Sequence, residues 1–394
     1  MIAVEEAKEL VELNTKALGS ISIELTDSLG YTLSEDVIAS ISLPPFHQSA
    51  MDGYAIGLFK DGTPSNKFKL IGEVKAGDSA SIYLKEGEAV RIFTGAMVPE
   101  GTMSVIMQEV VEVIANEIQI NQEIKAGINI RPTGEQIKAG ELALAKGTVL
   151  SPAGIGFLNG FGISALKVHS KPKVGLIVTG NELIKAGQVL KPGQIYESNS
   201  ATLATALQSS DYHVSKIVIV EDNLESTVQL IKAMIESMDV IILSGGISVG
   251  DYDFVGKALS ILNVEEIFYK VKQKPGKPLY YGKKGSCNIF ALPGNPAAAL
   301  LCYYQYVLYA LRKMSGEPSC SLEKRTLVSQ NDYLKKGDRA HFLKALAKDG
   351  YVELLDGQSS AMLHTFAVAN AVVYIPENKS GIKKGEQVEV QMLP

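Results

Sequence analysis

DVIILSGGISVGDYDF, residues 239–254, is the stretch whose reading decides the fold. Its first half is a continuous apolar run that reads as a strand buried on both faces. Its second half is a glycine-rich loop, Ser244-Gly245-Gly246-Ile247-Ser248-Val249-Gly250-Asp251, continuing through Tyr252-Asp253. The same phrase recurs on either side. KVGLIVTG (173–180) is another buried strand ending in a loop, VSKIVIV (214–220) a further strand, and FALPGNP (290–296) opens onto the apolar run AAALLCYYQYVLYAL (297–311). Helical segments over 200–209, from Asn223 to about Ser237 and near 254–262 separate them, with a β run at 266–272. Apolar strand and helix in alternation predict a three-layer α/β domain with a largely parallel sheet, spanning 171–314.

Outward from this centre the texture changes. Residues 3–18 place Val4, Ala7, Leu10, Val11 and Leu18 at helical spacing, an amphipathic helix. From about 20 to 170 short β-type runs such as FKLIGEV (68–74), AVRIFTG (89–95) and NEIQI (116–120) alternate with Gly, Pro and Asp. AGIGFLNGFG (153–162) is a short helix whose glycines serve close packing, since their spacing is not that of a dinucleotide fingerprint. After Met314-Ser315-Gly316 the runs RTLVSQ, HFLKALA, YVELL, AVVYIP and EQVEVQML predict a small β-barrel over 315–394.

A length of 394 residues gives room for two to three domains at ~150 residues each. The charge of -5, from 38 Lys plus Arg against 43 Asp plus Glu, argues against a nucleic-acid binder, which needs a basic excess. Cys287, Cys302 and Cys320 form no CxxC pair, so neither a zinc site nor a disulfide framework is expected. The acidic N-terminus MIAVEEAKEL is unlike a signal peptide, and no stretch reads as a membrane span. A cytoplasmic protein with no nucleic-acid and no membrane partner is expected.

Ligands of open α/β sheets bind at the carboxyl ends of the strands. Three such ends here carry unusual loops: Thr179-Gly180-Asn181-Glu182, the Ser244–Asp253 loop, and Leu292-Pro293-Gly294-Asn295-Pro296. Glycine lets main-chain N–H groups approach a ligand, which suits phosphate or another oxyanion. Beside these loops stand Glu182, Glu221-Asp222, Asp251 and Asp253. Carboxylates next to phosphate require a cation, and Mg²⁺ is the economical one. The run YKVKQKPGKP places Lys270, Lys272 and Lys274 on one face if it is a strand, and the Pro275-Gly276 turn returns Lys277 beside Lys274. Blocking of an edge strand is the ordinary use of such lysines; an oxyanion trap is the functional one. No Ser/His/Asp or Cys/His set stands out, and His47, His213, His341 and His364 lie in no catalytic context.

SGGISVGDYDF (244–254), TGNEL (179–183), KPGKP (274–278), LPGNP (292–296) and SAMDGYA (49–55) together resemble the MoeA/gephyrin family. IFTGAMVPEG (92–101) and IRPTGEQI (130–137) fit it as well, and the motifs run collinearly from about 45 to 370. The resemblance implies an elongated discontinuous domain (1–45 and 145–170), a β-rich module (46–144), a MogA-like molybdopterin-binding α/β domain and a C-terminal barrel. It implies a homodimer with its active site shared between subunits. It implies a molybdenum insertase that takes adenylylated molybdopterin and molybdate, cleaves the phosphoanhydride with Mg²⁺ and releases AMP. The carried-over catalytic residues are Asp52, Thr94, Glu182, Asp253, Lys270 and Lys274. Substrate contacts carried over are Thr179, Gly180, Ser244, Gly245, Gly246, Ser248, Gly250, Lys277, Pro293, Gly294, Asn295 and Pro296. Molybdate would meet Lys274, Lys277, Lys344 and Ser360, and the metal Glu182, Glu221, Asp222 and Asp253. Molybdopterin adenylyltransferase and molybdopterin synthase are the implied enzyme partners. The chain departs from the pattern at Gln136, at Lys344 where arginine is common, and at Glu221 in place of aspartate. Lys344 is expected either to touch the oxyanion as a compact point charge or to be a solvated barrel residue. Two other readings stay open: a molybdopterin adenylyltransferase, which the α/β domain alone suggests, and a non-catalytic scaffold of the gephyrin kind.

Overall fold

The computed structural model describes residues 1–58, 65–79, 81–221, 223–247 and 254–394. A six-stranded sheet runs in the order Val214–Val220, Val174–Thr179, Val240–Ser244, Cys287–Leu292, Tyr280–Lys284, Glu265–Tyr269. The first four strands are parallel and the last two add antiparallel. Every residue of Val174–Thr179, Val240–Ser244 and Cys287–Leu292 is buried, the reason these strands are apolar without alternation. Leu176, Val178 and Ile242 pack under the helix Asn199–Ser209 and the helical run Pro296–Met314, which contains a π-turn at Tyr303–Val307. Ile177, Ile241 and Leu243 pack on the other face, under Leu224–Ile235 and Phe254–Ile261. This is the three-layer α/β domain.

Two expectations need correction. The β run expected at 266–272 stops at Tyr269, because Lys270 takes a left-handed φ of 69°. Gln273–Lys274 is a separate short strand paired with Ala340 and His341 of the barrel. Lys270, Lys272 and Lys274 therefore do not share one strand face. The helix Val4–Asn14 was grouped with the N-terminal elongated unit, but Val4, Ala7 and Val11 are buried in the α/β core beside Val174, Leu207 and Tyr306.

The remaining N-terminal chain folds in two parts. Ser20–Glu24 pairs with Ala165–His169 and Val37–Ile38 with Leu142–Leu144, around a core of Leu25, Leu33, Leu150, Leu158 and Phe161. Between them a six-stranded sheet, ordered Thr102–Met107, Gly53–Gly57, Glu88–Ile92, Lys67–Val74, Glu117–Ile120, Val111–Ile114, forms the β-rich module. At the other end Ala340–Lys348, Tyr351–Leu354, Lys324–Ser329, Gln387–Met392 and Ala371–Ile375 pair in sequence, and Ala371–Ile375 pairs back onto Ala340–Lys348. A five-stranded barrel is thereby closed, leaving no long edge free.

Candidate active site

Two cavities adjoin where the α/β sheet meets the barrel. The first, about 520 Å³, lies over the carboxyl ends of the parallel strands and is walled by Thr179, Gly180, Ser244, Gly245, Gly246, Pro293, Gly294, Asn295 and Pro296, with Glu182 at its side. Gly245 has φ +90° and a Cβ there would lie 2.4 Å from the Thr179 carbonyl oxygen, so only glycine permits the close crossing of the two loops. Asn199, at the start of its helix, donates from Nδ2 to Ser244 Oγ (2.9 Å) and to the Gly294 carbonyl (2.8 Å), tying two of the loops together. Thr179 Oγ1 and Asn199 Oδ1 are buried with no hydrogen-bond partner among the described residues, and both residues line this cavity. Such orphaned atoms cost about 1–3 kcal/mol each unless something satisfies them. Gly245→Ala should therefore destabilise the domain by about 1–3 kcal/mol and abolish ligand binding at the cavity, read by chemical denaturation and nucleotide titration.

The second cavity, about 510 Å³, is walled by Lys274, Lys277 and Arg339, with Tyr333, His341, Ser359 and Ser360, and among the described residues no carboxylate lines it. Gly276, φ +89°, makes the turn between the lysines: a Cβ would meet Cys302 Sγ at 2.6 Å and Gln273 Nε2 at 2.7 Å. Fully buried Gln273 fastens that turn by donating to the Gly276 carbonyl (3.2 Å) and accepting from the Tyr306 hydroxyl. The cavities share Pro278, Pro293 and Asn295. Asn295 Nδ2 donates to Ser360 Oγ (2.9 Å) and the Ala298 N–H to the Ser360 carbonyl (3.2 Å), so the barrel loop is stitched to the LPGNP turn.

His341 forms part of the cationic wall. Only 2% exposed, its Nδ1 lies 2.9 Å from the Tyr333 hydroxyl. Burial, with Lys274, Lys335 and Arg339 adding repulsion, pulls its pKa down to about 4. A histidine that titrates lower folded than unfolded takes up its proton preferentially in the unfolded chain. Stability is thus lost as pH falls from about 6.5 toward about 4. His341→Gln should flatten that part of the stability profile, measured by thermal unfolding across the window.

Lys344 is placed otherwise than expected. It is 2% exposed, neither solvated nor on the cavity wall, and Nζ donates to the carbonyls of Gly357 (2.7 Å), Ser359 (3.2 Å) and Met362 (3.0 Å). Lys270 lines neither cavity and rests over the Tyr269 ring, 4.5 Å from its centroid. Glu221 is exposed and lines neither. Asp222, Ser248, Gly250, Asp251 and Asp253 lie outside the described residues. Among the described residues no group of three or more His, Cys, Asp or Glu is arranged to hold a metal. Asp52 and Thr94 meet each other, Asp52 Oδ1 accepting from both Thr94 N–H and Thr94 Oγ1 at 2.8 Å. Those two bonds hold the carboxyl below its ordinary range. Neither residue lines the two cavities. Arg339, His341 and Asn199 were not singled out by sequence reading. Arg339 follows a Gly-Asp pair that reads as an ordinary turn, and Asn199 sits in the unremarkable run ESNS.

The family comparisons agree with this architecture. Residues 2–162 match "MoeA N-terminal region (domain I and II)", 175–313 "Probable molybdopterin binding domain" and 326–393 "MoeA C-terminal region (domain IV)". A curated relative from Staphylococcus epidermidis, named molybdopterin molybdenumtransferase, is 31% identical over 99% of this chain and 95% of its own. One of the same name from Haemophilus influenzae is 32% identical over 94% of this chain and 93% of its own. The crystal structure of a molybdopterin biosynthesis MoeA protein from Pyrococcus horikoshii superposes with a TM-score of 0.85 at 30% identity, covering 100% of this chain and 99% of that one. Relatives named molybdopterin molybdenumtransferase, at about 30% identity over nearly the whole chain, make this a transferase of molybdenum cofactor biosynthesis. The chain belongs to the MoeA family.

Proposed function

We propose that the protein inserts molybdenum into molybdopterin, taking adenylylated molybdopterin and molybdate and releasing AMP. The observation that carries this reading is the meeting of two chemically different cavities at Asn295 and Ser360. One is walled by main chain at Gly245, Gly246 and Gly294, where N–H groups can approach a phosphate. The other sets three cations and, among the described residues, no carboxylate around a space fit for a tetrahedral dianion. Molybdate held by Lys274, Lys277, Arg339 and Ser360 would then stand beside the dithiolene of a molybdopterin whose phosphate rests in the glycine loops.

Mg²⁺, where bound, neutralises charge on the anhydride as it is cleaved. Glu182 lines the phosphate side of the cleft and offers the hard oxygen ligand that ion takes, with Asp253, Glu221 and Asp222 as the sequence's other donors. Among the described residues the other lining carboxylate is Glu197, which accepts from the Ser200 N–H and hydroxyl. The Asp52 carboxylate, kept ionised by Thr94, lines neither cavity of its own chain. It serves the cleft of a second subunit in a homodimer. The enzyme works in the cytoplasm, supplied by molybdopterin adenylyltransferase with molybdopterin synthase upstream.

Incubation with adenylylated molybdopterin, molybdate and Mg²⁺ should release AMP and yield a cofactor that activates an apo-molybdoenzyme. AMP release independent of molybdate, or synthesis of the adenylylated compound from ATP, would favour the adenylyltransferase reading instead. An inert protein would favour the scaffold.

A further inference from the structure

Lys344 presents an unusual combination: a long cation nearly sealed from water whose three acceptors are all main-chain carbonyls. An ammonium has three N–H bonds and a neutral amine only two, so satisfying the Gly357, Ser359 and Met362 carbonyls requires the charged form. The Phe366 ring, 5.6 Å from Nζ, covers it further. Burying such a charge is costly unless its hydrogen bonds are complete, and burial lowers the Lys344 pKa.

What the cage encloses is the barrel segment that forms one wall of the cationic cavity. The main chain of Lys344 exchanges two further bonds with the Gln358 side chain, its N–H donating to Oε1 (2.9 Å) and its carbonyl accepting from Nε2 (2.8 Å). Both ends of one residue thus fasten residues 357–362. Ser359 and Ser360 line the cavity from that segment, and Ser360 is the one bonded to Asn295.

We propose that Lys344 is a positioning residue for the oxyanion: its caged ammonium holds the 357–362 segment so that Ser359 and Ser360 face Lys274 and Lys277, and it does not touch the anion. This rests on the oxyanion reading of the cavity given above. The cage itself suggests the test, because carbonyls that hold an ammonium will also hold a small free one.

Lys344→Ala should raise the molybdate KM about tenfold or more while changing kcat less than twofold. Added methylammonium or ethylammonium should restore the KM in that variant and leave the parent unaffected. Lys344→Arg, whose guanidinium can serve the same carbonyls, should retain a near-parental KM. Lys277→Ala, which removes a group on the cavity wall, should raise the KM without alkylammonium rescue.

A parental molybdate dependence in Lys344→Ala overturns the positioning role, provided Lys277→Ala shifts it. If neither variant shifts it, the oxyanion reading of the cavity fails as well. A KM defect in Lys344→Ala that no alkylammonium repairs points to direct contact and also overturns the proposal. Should both the alanine and the arginine variants fail to fold, by circular dichroism of the full chain, Lys344 acts in folding the barrel and the proposal is overturned.

Discussion

Lys274→Ala should lower kcat/KM for molybdate by roughly a hundredfold. Removing one of the three cations that line the cavity loses a charge-assisted hydrogen bond, worth about 1.5–3 kcal/mol, and each ~1.4 kcal/mol is tenfold in rate. The loss sits at the upper end because Lys277 and Arg339 are then left to balance a dianion between them. Ser360→Ala, by contrast, removes a neutral partner and costs only about tenfold or less. AMP release titrated with molybdate measures both. Equal, small effects from the two substitutions would mean that the anion binds elsewhere.

The second large effect is a gain. Asp52→Ala and Lys274→Ala homodimers are each expected to keep about a hundredth of the parental activity or less, since either loses a group from one half of the cleft. Denatured together and refolded at equal amounts, half of the dimers are hybrids, and each hybrid has one intact cleft. Activity should return to about a quarter of the parental value. The motivation is structural: Asp52 and Thr94 form a tight pair that lines neither cavity of its own chain. No recovery, with hybrid formation verified by mass spectrometry, would place all the catalytic groups within one subunit.

The α/β domain was legible in sequence because burial on both faces removes the polar alternation from its strands, as in Val240–Ser244 and Cys287–Leu292. The loops at the strand ends were legible too, since glycines such as Gly245 answer a steric demand that no other residue meets. Lysines were read less well. A strand periodicity put Lys270 with Lys274, yet one left-handed residue, Lys270 itself, ends the strand, after which Val271 bridges to Ile2 and Gln273–Lys274 pairs with the barrel. Composition alone makes a lysine in a β module look solvated, whereas Lys344 owes its burial to carbonyls thirteen to eighteen positions downstream. His341 reads in sequence as lying in no catalytic context for the same reason: its partners Tyr333, eight residues upstream, and Lys274, on the strand Gln273–Lys274, reach it only in the fold.

The seat of the helix Val4–Asn14 has a consequence for how the chain is made. Its apolar face packs on Val174, Leu207 and Tyr306, its Glu12 carbonyl accepts from Lys313, and Glu5 accepts from the hydroxyl of Tyr374. Everything the helix rests on is therefore translated after it, the last contact some 360 residues later. At the pace of a ribosome that interval is on the order of 20–70 s. Until Tyr306 is made, the nascent chain lacks the full cover of Val4, Ala7 and Val11, the sort of surface a holding chaperone at the exit tunnel recognises.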